Sequence, residues 1–307
     1  MKIVQSYWSK PQEKNVHRDH ESRFRGGWLD KKFHYMSWVF SCLQLCRFYD
    51  RVELVTDAPG KELLVDRLGL PYTKVTVALE KIDHYDADLW ALGKLYAYSI
   101  QDEPFLHVDG DVFIWKEFPQ RLMESPLIAQ HLEKEYDFYR SLMTKVIKHV
   151  PSLPVAIRSY LASGAPLCAY NMGIAGGHDV EFMRRYSREA MSFVDGNKTE
   201  VKNLPVGQFN TIYEQLLFFC LLHEQEKAIG LFSYTVGEDK VDEELKGFHN
   251  FRRAPAGVDL IHLYGNCKKE DRYCEELEQK LKKVYPGYYE RVLDIASCED
   301  KIISFHE

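Results

Sequence analysis

Short β-prone apolar runs alternate with longer stretches of helical spacing over the first hundred residues of the chain. Residues 3–7 (IVQSY) form the first run, which stops at Trp8, Ser9 and Pro11. From 31 to 49, Phe33, Met36, Val39, Phe40, Leu43 and Cys46 recur at helical spacing and predict a helix. Residues 51–56 (RVELVT) predict a second strand, punctuated by Asp57, Ala58, Pro59 and Gly60 before a helix that reaches Leu68. A third strand over 74–79, a third helix over 87–100 and a fourth strand over 105–108 follow. Strand and helix taking turns in this way is the signature of a parallel sheet covered by helices. In such sheets ligands lie beyond the carboxyl ends of the strands, which here are Tyr7 and Trp8, Thr56 and Asp57, and Asp109.

After Trp115 the rhythm changes. Leu127, Leu132, Tyr136, Tyr139, Leu142 and Val146 fall at helical spacing and predict one long amphipathic helix over 125–150, ended by Pro151 and Pro154. Residues 166–177 (PLCAYNMGIAGG) predict a strand followed by a glycine-rich turn, and 180–194 a helix. Residues 209–224 predict a helix apolar on most sides, hence buried, with Glu214 and Gln215 in its first half. An acid is costly to bury there without a partner or a task. Residues 232–235 predict a strand, 237–244 an acidic loop, and 258–264 (VDLIHLY) a strand that delivers His262 and then Gly265, Asn266, Cys267, Lys268 and Lys269. A charged helix over 271–284 and a second over 286–307 are expected to cap the domain.

Composition narrows the partners. The 307 residues are 45% hydrophobic and 28% charged, as in a soluble globular protein, and the net charge of −6 offers no electrostatic footprint for nucleic acid. Small molecules are the expected partners. The N-terminus lacks the apolar core of a signal peptide and no apolar run is long enough to cross a bilayer. A cytoplasmic location is therefore expected, with peripheral membrane contact left open. Seven scattered cysteines, an odd number without paired short spacings, read as reduced and structural.

The chemistry concentrates in Pro104 to Trp115, PFLHVDGDVFIW. Asp109 and Asp111 stand one residue apart at a strand end, and residues i and i+2 of a strand point the same way. Two hard oxygen ligands suit Mg2+ or Mn2+ shared with substrate phosphates. Gly110 between them lets the backbone turn and leaves room for a ligand. Asp-Gly is also a common hairpin dipeptide, so a polar turn is the plain alternative. A metal on a diphosphate needs a further ligand, and His262, with Lys268 and Lys269 beyond it, offers both a ligand and phosphate contacts.

Strand, helix, strand, helix, then VDGDVF, then YNMGIAGG, then HLYGNCK from His262 to Lys268, resembles the nucleotide-sugar-dependent glycosyltransferases of the GT-A fold. The last two motifs are most similar to the retaining family-8 type, the galactosyltransferase and glycogenin group. The resemblance implies an α/β fold: a Rossmann-like mixed central sheet flanked by helices, with a C-terminal helical cap. It implies one glycosyltransferase domain over 1–270, with a nucleotide-binding half at 1–115, an acceptor and catalytic half at 116–270, and a helical extension at 271–307. Asp111 would bind Mn2+ or Mg2+, Asp109 would touch metal and ribose, and His262 would complete the metal site. Gly265 and Lys268 would hold the diphosphate, Asn171 and Gly173 would lie along the donor sugar, and Tyr7, Trp8 and Asp57 would receive base and ribose. Lys94 is a candidate for the phosphates or sugar, with a solvated surface position as its plainer reading.

Glu214 and Gln215 would be the catalytic pair near the anomeric carbon. The implied activity is transfer of a sugar from a nucleotide diphosphate sugar, a UDP-sugar by preference, to a glycan or other hydroxyl acceptor, as in polysaccharide biosynthesis. Acceptor recognition is expected from the loop over 12–27 and the helix over 127–150. Lys269 and Glu270 follow the last motif where the family usually carries an aromatic or Pro-Trp, and Glu214 stands in place of its more usual Asp. Phosphoaspartate-type phosphatase chemistry and a catalytically silent nucleotide-sugar-binding protein are the rival readings. A phosphatase of that kind opens with its acid pair on the first strand, whereas three predicted strands precede this one.

Overall fold

The computed structural model describes residues 1–12, 25–233, 236–237, 251 and 254–304. In chain order the strands are β1 (Lys2–Tyr7), β2 (Val52–Thr56), β3 (Lys74–Val77), β4 (Phe105–Val108), β5 (Val112–Ile114), β6 (Ile128–Lys134), β7 (Cys168–Gly177), β8 (Gly230–Leu231), β9 (Val236–Gly237) and β10 (Leu260–His262). The α-helices are α1 (Lys31–Phe48), α2 (Ala58–Lys61), α3 (Leu92–Ser99), α4 (Gln120–Met123), α5 (Asp137–His149), α6 (Val155–Ala162), α7 (Val180–Asp195), α8 (Val206–Thr211), α9 (Leu217–Glu224), α10 (Asp271–Val284) and α11 (Pro286–Ser304). The chain is α/β with flanking helices and mixed strand pairing, as the resemblance implies, where the alternating pattern alone points to parallel strands. It divides into two compact units.

The first unit comprises Met1–Ser6, Leu79–Val108 and Phe118–Glu244. β1 and β4 run parallel, with Ile3 opposite Leu106. β7 runs antiparallel to both β4 and β6, and β8 and β9 join β6 in parallel. All ten residues of β7 are buried. It continues through the two glycines where a turn is expected, because neighbouring backbones come too close for a side chain. A Cβ on Gly176 would lie 2.2 Å from Phe105 O, and one on Gly177 would lie 2.3 Å from Pro126 O.

The helix expected over 125–150 is two elements, β6 and then α5. Leu127, Ile128 and Ala129 are fully buried, and a short strand covered on both faces reads as an unbroken apolar run that periodicity cannot tell from helix. Glu135, at φ 60°, separates strand from helix. The helix expected over 209–224 is α8 and α9 joined by a π-helical stretch, Ile212–Leu216, which contains Glu214 and Gln215. Of the strand expected over 232–235, residues 232–233 are a bend that follows β8, and residues 234–235 lie outside the described residues.

The second unit comprises Tyr7–Ala78, Asp109–Glu117 and Leu245–Glu307. β2 and β3 pair in parallel, and β5 pairs antiparallel with β10 so that Val112 faces His262. α1 is capped by Asp30, whose side chain accepts from Lys32 N, and every residue from Phe33 to Leu45 is buried. Its buried polar residues have defined partners. Ser37 Oγ donates to Gly110 O (2.6 Å), Ser41 Oγ to Val112 O (2.7 Å) and Gln44 Nε2 to Ile114 O (2.5 Å), so one helix face satisfies the carbonyls along β5 and its approach. The C-terminal helices α10 and α11 pack on α1 as the expected cap. The loop expected over 12–27 and the acidic loop over 237–244 fall mostly outside the described residues.

The room beside Gly110 is not open. A Cβ there would lie 2.5 Å from Trp38 Cε2, so the indole packs directly on the glycine. Gly110→Ala is expected to destabilise the protein by about 1–3 kcal/mol through overpacking, read as a lower urea midpoint at unchanged slope. Trp38→Phe in the same chain should recover part of that loss.

Candidate functional site

In the second unit the turn between Asp109 and Val112 is closed by Val112 N donating to Asp109 O (3.1 Å), and it is tied to the end of β10 by Leu263 N donating to Asp111 O (3.0 Å). Ligand atoms of Asp109, Asp111 and His262 therefore lie within 4.8 Å of one another. His262 Nε2 is 3.4 Å from Asp111 Oδ1, and Lys268 Nζ is 2.5 Å from Asp111 Oδ2. Burial pushes the Asp111 carboxyl upward, but the charges of Lys268 and His262 outweigh it and hold the group well below the usual carboxylate range. Asp111 Oδ1 is buried without a hydrogen bond of normal geometry from any of the described residues. Two carboxylates and an imidazole converging around such an atom suit a hard divalent cation.

Lys268 belongs to a 3₁₀ turn, Gly265–Lys269, that opens with Gly265 at φ 60°. Its carbonyl accepts from Leu29 N (3.1 Å), and its ammonium lies 5.7 Å from the Trp28 ring centroid. Trp28 is buried, and sequence reasoning overlooked it, although a tryptophan directly after Gly26 and Gly27 was a usable signal. Tyr7 and Trp8 are each 4% exposed, and the Tyr7 ring meets Trp38 edge-on at 5.0 Å. Asp57 is an N-cap: Oδ2 accepts from Ser9 N (2.7 Å) and Ser9 Oγ (2.8 Å), and Oδ1 accepts from Gly60 N (2.8 Å). Burial raises its carboxyl pKa despite these donors.

The first unit carries its own buried polar cluster. Lys94 is buried, not solvated: Nζ is 2.5 Å from Glu214 Oε1 and donates to Met172 O (3.0 Å). Glu214 is wholly buried, and Tyr186 OH donates to its carbonyl (2.6 Å). Its π-helical setting widens one turn of backbone, a feature frequent at functional positions. Asn171 donates to Glu133 Oε1 (3.1 Å) and accepts from Gly173 N (3.1 Å).

Tyr139 OH lies 2.7 Å from Glu133 Oε2 and 2.5 Å from Gln215 Oε1. A phenol has one proton for two acceptors. Burial raises the Glu133 carboxyl, but His131, Tyr139 and Asn171 together bring it below its ordinary value, and its Oε2 accepts from the phenol. Gln215 Oε1 therefore competes with Glu133 for that one proton, and the phenol holds the Gln215 side chain through its carbonyl oxygen. His131 and Glu133 were missed because their strand reads as helix, although polar residues two apart in an apolar run are the signal of one strand face.

No curated protein matches the chain in sequence. Among solved structures, the galactosyltransferase LgtC in complex with donor and acceptor sugar analogs superposes with a TM-score of 0.41 at 12% identity, over 91% of this chain and 96% of that one. An active-site mutant of LgtC gives 0.43 at 11% identity with the same coverage. Mouse xyloside xylosyltransferase 1, apo form, gives 0.40 at 10%, over 87% of this chain and 98% of its own. Superpositions this loose leave the chemistry to rest on the side chains described above. Residues 1–295 match the family of unknown function DUF6734, and with nearly the whole chain inside that match the protein belongs to this family.

Proposed function

We propose that the protein is a metal-dependent glycosyltransferase of GT-A type, moving a sugar with retention from a nucleotide diphosphate sugar, a UDP-sugar by preference, to a glycan or other hydroxyl acceptor. The observation that carries the reading is the convergence of Asp109, Asp111 and His262 beside Lys268. A divalent cation bound there, Mn2+ or Mg2+, would supply Lewis-acid charge to a departing diphosphate. Lys268 adds a positive charge for the same oxygens, and its ammonium is held by Trp28 on one side and Asp111 on the other. Gly265, at φ 60°, lets the backbone make that turn.

Asn171 and Gly173 are assigned to the donor sugar, and Glu214 and Gln215 to the carbon that becomes cationic as the diphosphate leaves. Tyr139 supports that role by fixing the position of the Gln215 amide through its carbonyl oxygen. Tyr7, Trp8 and Asp57 are assigned to base and ribose. No described helix is long and apolar enough to cross a membrane. The proposed setting is cytoplasmic polysaccharide synthesis.

The test is a thermal-shift screen of UDP, GDP, CDP and their common sugar conjugates, with and without Mn2+. A native-state binder raises apparent stability with the logarithm of its concentration over its dissociation constant. The expected result is a metal-dependent shift with one nucleotide. Folded protein that shifts with none of them would overturn the proposal.

A further inference from the structure

We infer that His34 belongs to the donor site, where its imidazole hydrogen-bonds a phosphate oxygen of the bound nucleoside diphosphate. The inference rests on the donor reading above and adds to it a residue from a helix that carries none of the motifs. His34 is 5% exposed, yet its Nε2 is buried with no hydrogen-bond partner among the described residues. A buried polar atom left unpaired is unfavourable in the folded state and calls for a reason. Packing alone does not supply one. The ring lies among Tyr7 at 5.9 Å, Tyr35 at 6.0 Å and Trp38 at 6.5 Å, and a phenylalanine would pack there without a stranded nitrogen.

The position of the ring points to the acid turn. His34, Ser37, Trp38 and Ser41 are spaced i, i+3, i+4 and i+7, one stripe of α1. Ser37 Oγ donates to Gly110 O, Trp38 covers Gly110, and Ser41 Oγ donates to Val112 O. His34 therefore lies one helical turn beyond these contacts on the face that holds the metal-ligand turn. It is also in the first turns of α1, where the backbone amides favour an anion. On its other side the chain closes tightly. A Cβ on Gly26, at φ 62°, would fall 2.1 Å from His34 Nδ1, so the ring is pinned at that end.

Burial, then the charges of Lys268 and Lys31, lower the imidazole pKa to about 3 against an opposing pull from Asp111, so the ring is neutral and keeps one N–H to donate. A ring that feels both Lys268 and Asp111 lies within electrostatic reach of the cation and carboxylate proposed to bind the diphosphate and its metal. With the orientation fixed in advance, little ordering remains when a ligand oxygen arrives.

The experiment compares wild type with His34→Phe and His34→Asn, using whichever of UDP, GDP and CDP shifts the wild type most, with Mn2+ present. Melting of the unliganded proteins and calorimetric titration of that nucleotide are both read. His34→Phe is expected to melt at or above the wild-type temperature, because it removes an unpaired nitrogen, and to bind the nucleotide about tenfold or more weakly. His34→Asn, which keeps a donor, should fall between. Wild-type affinity in His34→Phe overturns the inference and leaves the donor reading standing. Loss of stability and affinity in proportion in both variants overturns it in favour of a packing role. A wild type that binds none of the nucleotides overturns the donor reading, and this inference with it.

Discussion

Asp111→Asn should abolish Mn2+-dependent nucleotide binding and should also flatten the acid side of the metal-free protein's stability profile. The carboxylate is one of three converging ligand groups, and replacing it with a neutral amide should weaken the metal at least about a hundredfold, beyond what loss of an outer-sphere partner does. The same oxygens hold His262 at 3.4 Å and Lys268 at 2.5 Å. Removing one partner of such a pair destabilises by about 3–5 kcal/mol when burial is complete. Here the Asp111 and Lys268 side chains are 14% and 18% exposed, so residual solvation brings the expected cost to about 1–3 kcal/mol. The pH dependence follows from the direction of the shift. A carboxyl held low in the folded state contributes stability that is complete above the unfolded value of about 3.9 and is lost as pH falls through the lower folded value. Urea midpoints taken between pH 7 and pH 2.5 should therefore fall more steeply in the wild type than in Asp111→Asn below about pH 4. Parallel acid limbs would show that the Lys268 and His262 contacts do not stabilise the native state.

The sequence exposed the acid pair because it stands at a strand end in a chain of alternating strands and helices, and both neighbouring strands are apolar enough to be found from pattern alone. β4 lies at 105–108 and α10 at 271–284, as read, since each is bounded by unambiguous punctuation. The pairing of Val112 with His262 was not legible, because partners about 150 positions apart leave no local trace of their register. Two further failures share one cause. Gly110 does lie in a turn, but the room expected beside it is filled by the Trp38 indole, and Gly176, expected in a turn, lies within β7 with the Phe105 carbonyl in that space. A sequence shows that a side chain is missing, not what occupies its place. Lys94 is the converse case. A lysine on a helix is ordinarily solvated, and only the folded chain shows it closed against Glu214.

Lys94→Met and Glu214→Gln are each expected to cost about 3–5 kcal/mol, among the largest stability losses available in the first unit. The Lys94 and Glu214 side chains are 10% and 1% exposed and 2.5 Å apart, so neither charge has water to fall back on when the other is removed. Replacing both should be far milder than the sum of the two losses, and a double-mutant cycle by urea denaturation reads that difference directly. An independent signal comes from His107. Burial first, and Lys94 second, hold its pKa well below the ordinary imidazole value, so Lys94→Met should let His107 titrate at a higher pH. Additive losses with an unmoved His107 would show that the pair is not coupled in solution. The double variant also separates two roles for Glu214. A purely structural carboxylate predicts that the refolded double variant keeps both nucleotide binding and turnover. A carboxylate needed at the reacting carbon predicts that it binds nucleotide with Mn2+ and transfers nothing, because the charge removed with its partner no longer matters to the fold and still matters to the chemistry.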